Sequence, residues 1–170
     1  RGDLNFQSVT IAEALKTAGY ATYMSGKWHI TLHTDEPKHS WPRQRGFDRF
    51  FGIITGAANY WKPQTLTREN ERITVDEFPE DFFFTDAISD QASDYIREHQ
   101  AAAGDQPFFL YTAFTAPHWP LHAHEEDIEK YNGRFAAGWD QLREERLARM
   151  RDLGIVKPEW ELSERDASQL

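Results

Sequence analysis

The chain has 170 residues, 39% of them hydrophobic and 14% aromatic, a globular composition long enough for one domain. Its net charge of −9 at pH 7, with no long basic run, argues against a nucleic-acid surface, so a bound anion has to be held by a few local cations. No cysteine is present, which excludes disulfides and thiolate metal sites, and no run reaches the roughly 18 apolar residues that cross a membrane.

The opening "RGDLNFQSVT" has no methionine, basic n-region or apolar core, and reads as the start of a piece cut from a longer protein. Ser8 or Thr10 is placed to cap a short helix, with Glu13 in capping-box position after Thr10. Ile11, Leu15 and Ala18 form its apolar stripe, and Gly19 its stop. "YATYMS" predicts a strand, and a helix, a glycine and a strand in that order predict an α/β architecture. Thr31 to about Pro42, with His33 and His39, reads as a polar loop. "RGFDRFFGIITG" predicts a buried turn and strand, and "ENERITVDEF" a small exposed hairpin. "TDAISDQASDYIREHQAA" predicts a helix capped by Thr85, with Asp86 at the positive end of its dipole and Ile88, Ala92, Tyr95 and Ile96 on its apolar face. "PFFLYTAFT" predicts a strand buried on both faces of a parallel sheet. Glu125 to Leu153 predicts a charged helical region with Trp139, Leu142, Met150 and Leu153 turned inward.

Chemistry concentrates at two strand exits, "GKWH" and "APHWP", and ligands of open α/β sheets gather at the carboxyl ends of strands. Lys27 and His29 alternate with Trp28, so an extended backbone sends the two polar groups one way and the indole the other. His118 sits between two prolines that restrict its backbone. One ammonium and two imidazoles converging at a sheet edge form an anion site able to polarise an ester and protonate a leaving oxygen. On spacing alone the ordinary readings stay open: a solvated lysine and two hydrogen-bonded structural histidines. His118, His122 and His124 in "HWPLHAH" match no zinc spacing. The acidic stretches at 125–129 and 143–146 read as a solvated helical face.

"GYATYMSGKWH", Gly19 to His29, resembles the second signature of the type I sulfatases at every fixed position. "TIAEALKTAGY", "RGFDRFFG" and "PFFLYTAFTAPHWPLHAHEEDIEKYNGRF" are similar to the arylsulfatase pattern in order and spacing, so the likeness covers nearly the whole chain. The resemblance implies an alkaline-phosphatase-like α/β domain, with a mostly parallel central sheet flanked by helices. It implies hydrolysis of sulfate esters on sulfated small molecules or glycans, by a formylglycine nucleophile beside a calcium ion. Carried onto this chain, Lys27 binds the sulfate and steadies the nucleophile, and His29 hydrogen-bonds the formylglycine hydroxyl and helps to expel sulfate. His118 contacts the sulfate and assists departure of the alcohol. No C/S-x-P-x-R string, which supplies the formylglycine, occurs here, and Thr31 follows "GKWHI" where the family usually has glycine. The paired aspartates, the later calcium pair and the second sulfate-binding lysine of the family are also missing. Residues 1–170 are therefore expected to be an internal part of one catalytic domain, without a separate second domain, carrying one wall of the site but neither the nucleophile nor the calcium ligands. A phosphonate or phosphate monoester hydrolase of the same superfamily and a non-catalytic anion- or glycan-binding relative are the alternatives. Trp41, Tyr60, Trp61 and Trp119 are available to stack on a sugar or aryl group, or to fill the core.

Overall fold

The first helix forms where its capping residues predict it. In the computed structural model, which describes residues 2–32, 34–36 and 39–165, α1 (Ile11–Lys16) begins at Thr10. The Thr10 hydroxyl accepts the Glu13 amide at 3.0 Å, and the Glu13 carboxylate accepts the Thr10 amide at 2.8 Å. Such a cap contributes about 1 kcal/mol. The predicted stripe is displaced: Ala12 is the fully buried residue, and Ile11 is 66% exposed.

Among the described residues five strands follow: β1 (Ala21–Gly26), β2 (Arg49–Ile53), β3 (Leu66–Arg68), β4 (Glu71–Arg72) and β5 (Phe108–Ala113). They form one sheet in the order β4-β3-β2-β1-β5. β1 lies between β2 and β5 and runs parallel to both, while β3 and β4 add an antiparallel hairpin beyond β2. The long helix α2 (Phe84–Ala103) links the hairpin back to β5. One core lies where Phe51, Ile53 and Leu66 pack against Phe84, Ile88 and Tyr95 of α2. The second gathers Ala12, Met24, Phe47, Phe50 and Ile54 on the α1 side. Both faces are thus covered, which is why "FFGII" is apolar without alternation. The α/β prediction holds.

Three expectations are corrected within this unit. α2 starts at Phe84, with Phe83 as its uncapped N-cap rather than Thr85, because burial of Phe84 and its amide bond to the Tyr60 carbonyl at 2.8 Å fix the first turn. The hairpin turns at Glu69 and Asn70 and is not simply exposed, since Leu66 and Thr67 are buried and Val75–Glu77 forms a 3-10 turn. β5 is not buried on both faces. It has a partner only on its β1 side among the described residues, which leaves Phe108 39% and Tyr111 47% exposed. His33 of the polar loop lies outside the described residues.

Arg45, 3% exposed, ties α1 to the turn before β2. Its guanidinium donates to Glu13 at 2.8 Å and to the carbonyls of Leu4, Asn5 and Ser8. The hydrogen bond from Arg45 holds the Glu13 carboxyl below its ordinary value of 4.5. A depressed folded-state value means this stabilisation is complete above the unfolded value and is lost as pH falls through the folded one. Urea midpoints are therefore expected to fall on acidification below about pH 4.5, with that fall reduced in Arg45→Met. The same variant is expected to cost about 3 kcal/mol at neutral pH, since it strands a partly buried carboxylate and three carbonyls.

The chain divides into two compact units, Arg1–His122 and Ala123–Leu170. The second holds α3 (Glu125–Glu129) and α4 (Gly138–Asp152), separated by a run of turns rather than joined in one helical region. The inward side predicted for it forms only in part. Trp139 is 78% and Leu153 62% exposed, and Leu142 and Met150 are half-buried. Among the described residues of Ala123–Leu170, no side chain of α4 becomes buried.

Candidate active site at the carboxyl edge of the sheet

β1 ends at Gly26, which pairs with Ala113 at the end of β5. A Cβ on Gly26 would stand 2.0 Å from the Ala113 carbonyl oxygen, so only glycine lets the two strands reach their ends in register. The Lys27 amide carries the ladder one step further, donating to that carbonyl at 2.8 Å. The chain then turns to its other neighbour, and the amides of Trp28 and His29 donate to the carbonyls of Ile53 and Ile54 at 3.0 and 3.1 Å. Lys27 and His29 are thereby held between the carboxyl ends of β5 and β2. Such an exit is where open α/β sheets place ligands.

The side chains divide much as their chemistry suggests. Trp28 is buried, with its Nε1 donating to the Ser40 carbonyl at 2.7 Å and its ring edge-on to Phe47. Lys27 is half-buried, and its ammonium meets no hydrogen-bond or ion-pair partner among the described residues. The extended backbone expected over all three residues stops before His29, which takes φ +66. That left-handed conformation, rare for a residue with a side chain, sets the direction of the imidazole in place of the strand pleat.

His118 lies in the segment that follows β5. Its amide donates to the Thr115 carbonyl at 2.9 Å, and its carbonyl accepts the Tyr60 hydroxyl at 2.8 Å. Burial raises the Tyr60 pKa, which keeps that hydroxyl protonated and a donor. His118 Nδ1 lies 2.6 Å from the Trp119 carbonyl. A carbonyl only accepts, so Nδ1 carries the proton and Nε2 is the nitrogen left for exchange with a substrate. The exposed ring has solvent and ligand access. Thr115 is 4% exposed, and its hydroxyl has no partner among the described residues, a polar group at this edge that the sequence did not single out.

The other candidates sort by burial. Trp41 and Tyr60 are core, each 2% exposed, and Trp61 packs on Phe83 at 4.6 Å. Trp119 is 72% exposed, beside His118 in the chain. His122 accepts the Tyr60 amide on Nδ1 at 3.3 Å, which is a structural role. His124 belongs to the Ala123–Leu170 unit. Among the described residues no group of three or more His, Asp or Glu is arranged to hold a metal. A cleft of about 760 Å³ opens between the β3–β4 hairpin and α2, but none of Lys27, His29 and His118 lines it.

The family model described as Sulfatase matches residues 3–160. The chain belongs to the sulfatase family. It is 36% identical over 168 residues to an uncharacterized sulfatase of Schizosaccharomyces pombe, an alignment covering 91% of this chain and 29% of that protein. It is 33% identical over 158 residues to an arylsulfatase of Klebsiella aerogenes, covering 86% of this chain and 32% of that one. Among solved structures, Ps i-CgsB in complex with k-i-k-neocarrahexaose superposes on this sulfatase chain with a TM-score of 0.63 at 27% identity, over 76% of this chain and 31% of that one. The sulfatase chain thus spans less than a third of the length of these relatives.

Proposed function

We propose that this chain supplies the anion-holding and proton-transferring wall of a sulfuric ester hydrolase, with Lys27, His29 and His118 as its working groups. The observation that carries the reading is the half-buried Lys27 ammonium, without a hydrogen-bond or ion-pair partner among the described residues and held between two parallel strand ends in a chain of the sulfatase family. A sulfate monoester presents three non-bridging oxygens to such a cation. As an incoming oxygen bonds to sulfur and the bridging S–O bond breaks, negative charge grows on the bridging oxygen, and the His118 imidazolium gives it a proton through Nε2, releasing a neutral alcohol and leaving the sulfuryl group on the incoming oxygen. Lys27 offsets the charge on the sulfuryl oxygens through the transition state. His29 serves the attacking side, where an imidazole exchanges a proton with the incoming oxygen.

The family resemblance also implies calcium and formylglycine. The residues of this chain fit neither, for it has no cysteine and no C/S-x-P-x-R string, and no metal-holding cluster among the described residues. We assign both to parts of the protein outside these 170 residues, and no step above is routed through them.

The substrate class proposed is a sulfated small molecule or glycan, with the exposed Trp119 as the aromatic surface nearest His118 in the chain. The test is turnover of para-nitrophenyl sulfate and para-nitrophenyl phosphate by the full-length protein and by this chain alone. Sulfate hydrolysis by the full-length protein and none by the isolated chain is the expected result, because losing the nucleophile removes covalent catalysis. Preference for the phosphate ester would move the site to a different hydrolase, and turnover by the chain itself would show that the nucleophile lies within it.

A further inference from the structure

We propose that the β2–β3 connection, residues 54–65, is a positioning element that seats both histidines of the candidate site, Gly56 acting on His29 and Tyr60 on His118. The inference rests on the roles proposed above for those histidines.

Its first support is a close approach. A Cβ on Gly56 would lie 2.2, 2.3 and 2.5 Å from Nε2, Cε1 and Cδ2 of His29, so the imidazole rests directly on the glycine backbone. A side chain at position 56 has to displace the ring, because His29 is constrained at its own backbone by φ +66 and by the amide bond to Ile54 at 3.1 Å. Gly56 therefore leaves the space in which the imidazole stands, without touching a substrate.

The second support lies further along the same connection. Tyr60 is 2% exposed and held on three sides. Its hydroxyl donates to the His118 carbonyl at 2.8 Å, its amide to His122 at 3.3 Å, and its carbonyl accepts the Phe84 amide at the start of α2 at 2.8 Å. The connection is also braced internally. The Thr55 and Thr65 hydroxyls bond at 2.6 Å, and Thr55 donates to the Ala57 carbonyl at 3.1 Å. A loop tied at both ends transmits little slack, which positioning to within a fraction of an ångström demands.

The experiment is a pair of double-mutant cycles in the full-length protein, read by hydrolysis of para-nitrophenyl sulfate and by thermal unfolding. Gly56→Ala is expected to lower kcat about 100-fold with KM changed far less, and Tyr60→Phe about tenfold. Each effect is expected to vanish against the matching background, Gly56→Ala in His29→Ala and Tyr60→Phe in His118→Ala. Gly56→Ala also lowers the Tm in the wild-type background, and His29→Ala restores it by vacating the space, a readout independent of residual activity. Equal losses of rate and Tm in both backgrounds would overturn the proposal. Unchanged turnover in His29→Ala and His118→Ala alone would instead remove the histidine roles themselves, and this inference with them.

Discussion

Lys27→Ala in the full-length protein is expected to lower aryl sulfate hydrolysis by about 10²- to 10³-fold, the effect of deleting a preorganised charge-stabilising group. Folding stability should hardly change, because the ammonium has no hydrogen bond or ion pair among the described residues and the side chain is only half-buried. Its backbone amide, which keeps the ladder to Ala113, is untouched by the substitution. Rate and stability should therefore separate. Parallel losses of both would make Lys27 a structural residue, and an unchanged rate would remove it from the site. His118→Ala completes the test through the leaving group. A poor leaving group such as an alkyl alcohol needs its oxygen protonated more than para-nitrophenol does, so the loss should be larger with an alkyl sulfate. An equal loss with both esters would assign His118 to anion binding instead.

Gly26→Ala is expected to destabilise the protein by about 4 kcal/mol or more. The added Cβ would stand 2.0 Å from the carbonyl oxygen and 2.6 Å from the carbonyl carbon of Ala113, which are backbone atoms of the paired strand. They cannot yield without breaking the register that joins β1 to β5 along its whole length. The φ of +125 adds strain that an alanine bears poorly. Gly19→Ala is the control, since Gly19 also has a positive φ, +82, but has no atom within 4 Å of its Cβ position. It should cost only about 1 kcal/mol. Urea denaturation of the two variants measures the difference, and similar midpoints would show that the β1–β5 edge relaxes freely. Because Lys27 follows Gly26 directly, any surviving Gly26→Ala protein should also lose anion affinity.

Much of this was legible in the residues. The capping box of Thr10 and Glu13, the strand "YATYMS" and the long helix over residues 85–102 depend on spacings of a few residues, and local spacing is what a sequence displays. The "GKWH" pattern was legible for the same reason, being contiguous, and it pointed to the sulfatase family that the family match over residues 3–160 then showed. Other features arose only when distant segments met. "PFFLYTAFT" reads as a doubly buried strand, yet β5 lies at the edge, because burial depends on what stands beyond a strand and not on its own composition. Trp139 and Leu153 have an apolar periodicity, yet among the described residues neither is buried. His29 breaks the alternation that its neighbours set, since its backbone bonds to Ile54 and its ring rests on Gly56. Tyr60 reads equally as a ligand-stacking or a core aromatic, and packing places its ring in the core while its hydroxyl donates to the His118 carbonyl. The sequence by itself determined which residue types can hold an anion and at which strand exits they occur. The tertiary structure decided where β2, its following loop and β5 close around those exits, because contacts between residues so far apart in the chain are selected by packing and not by local preference.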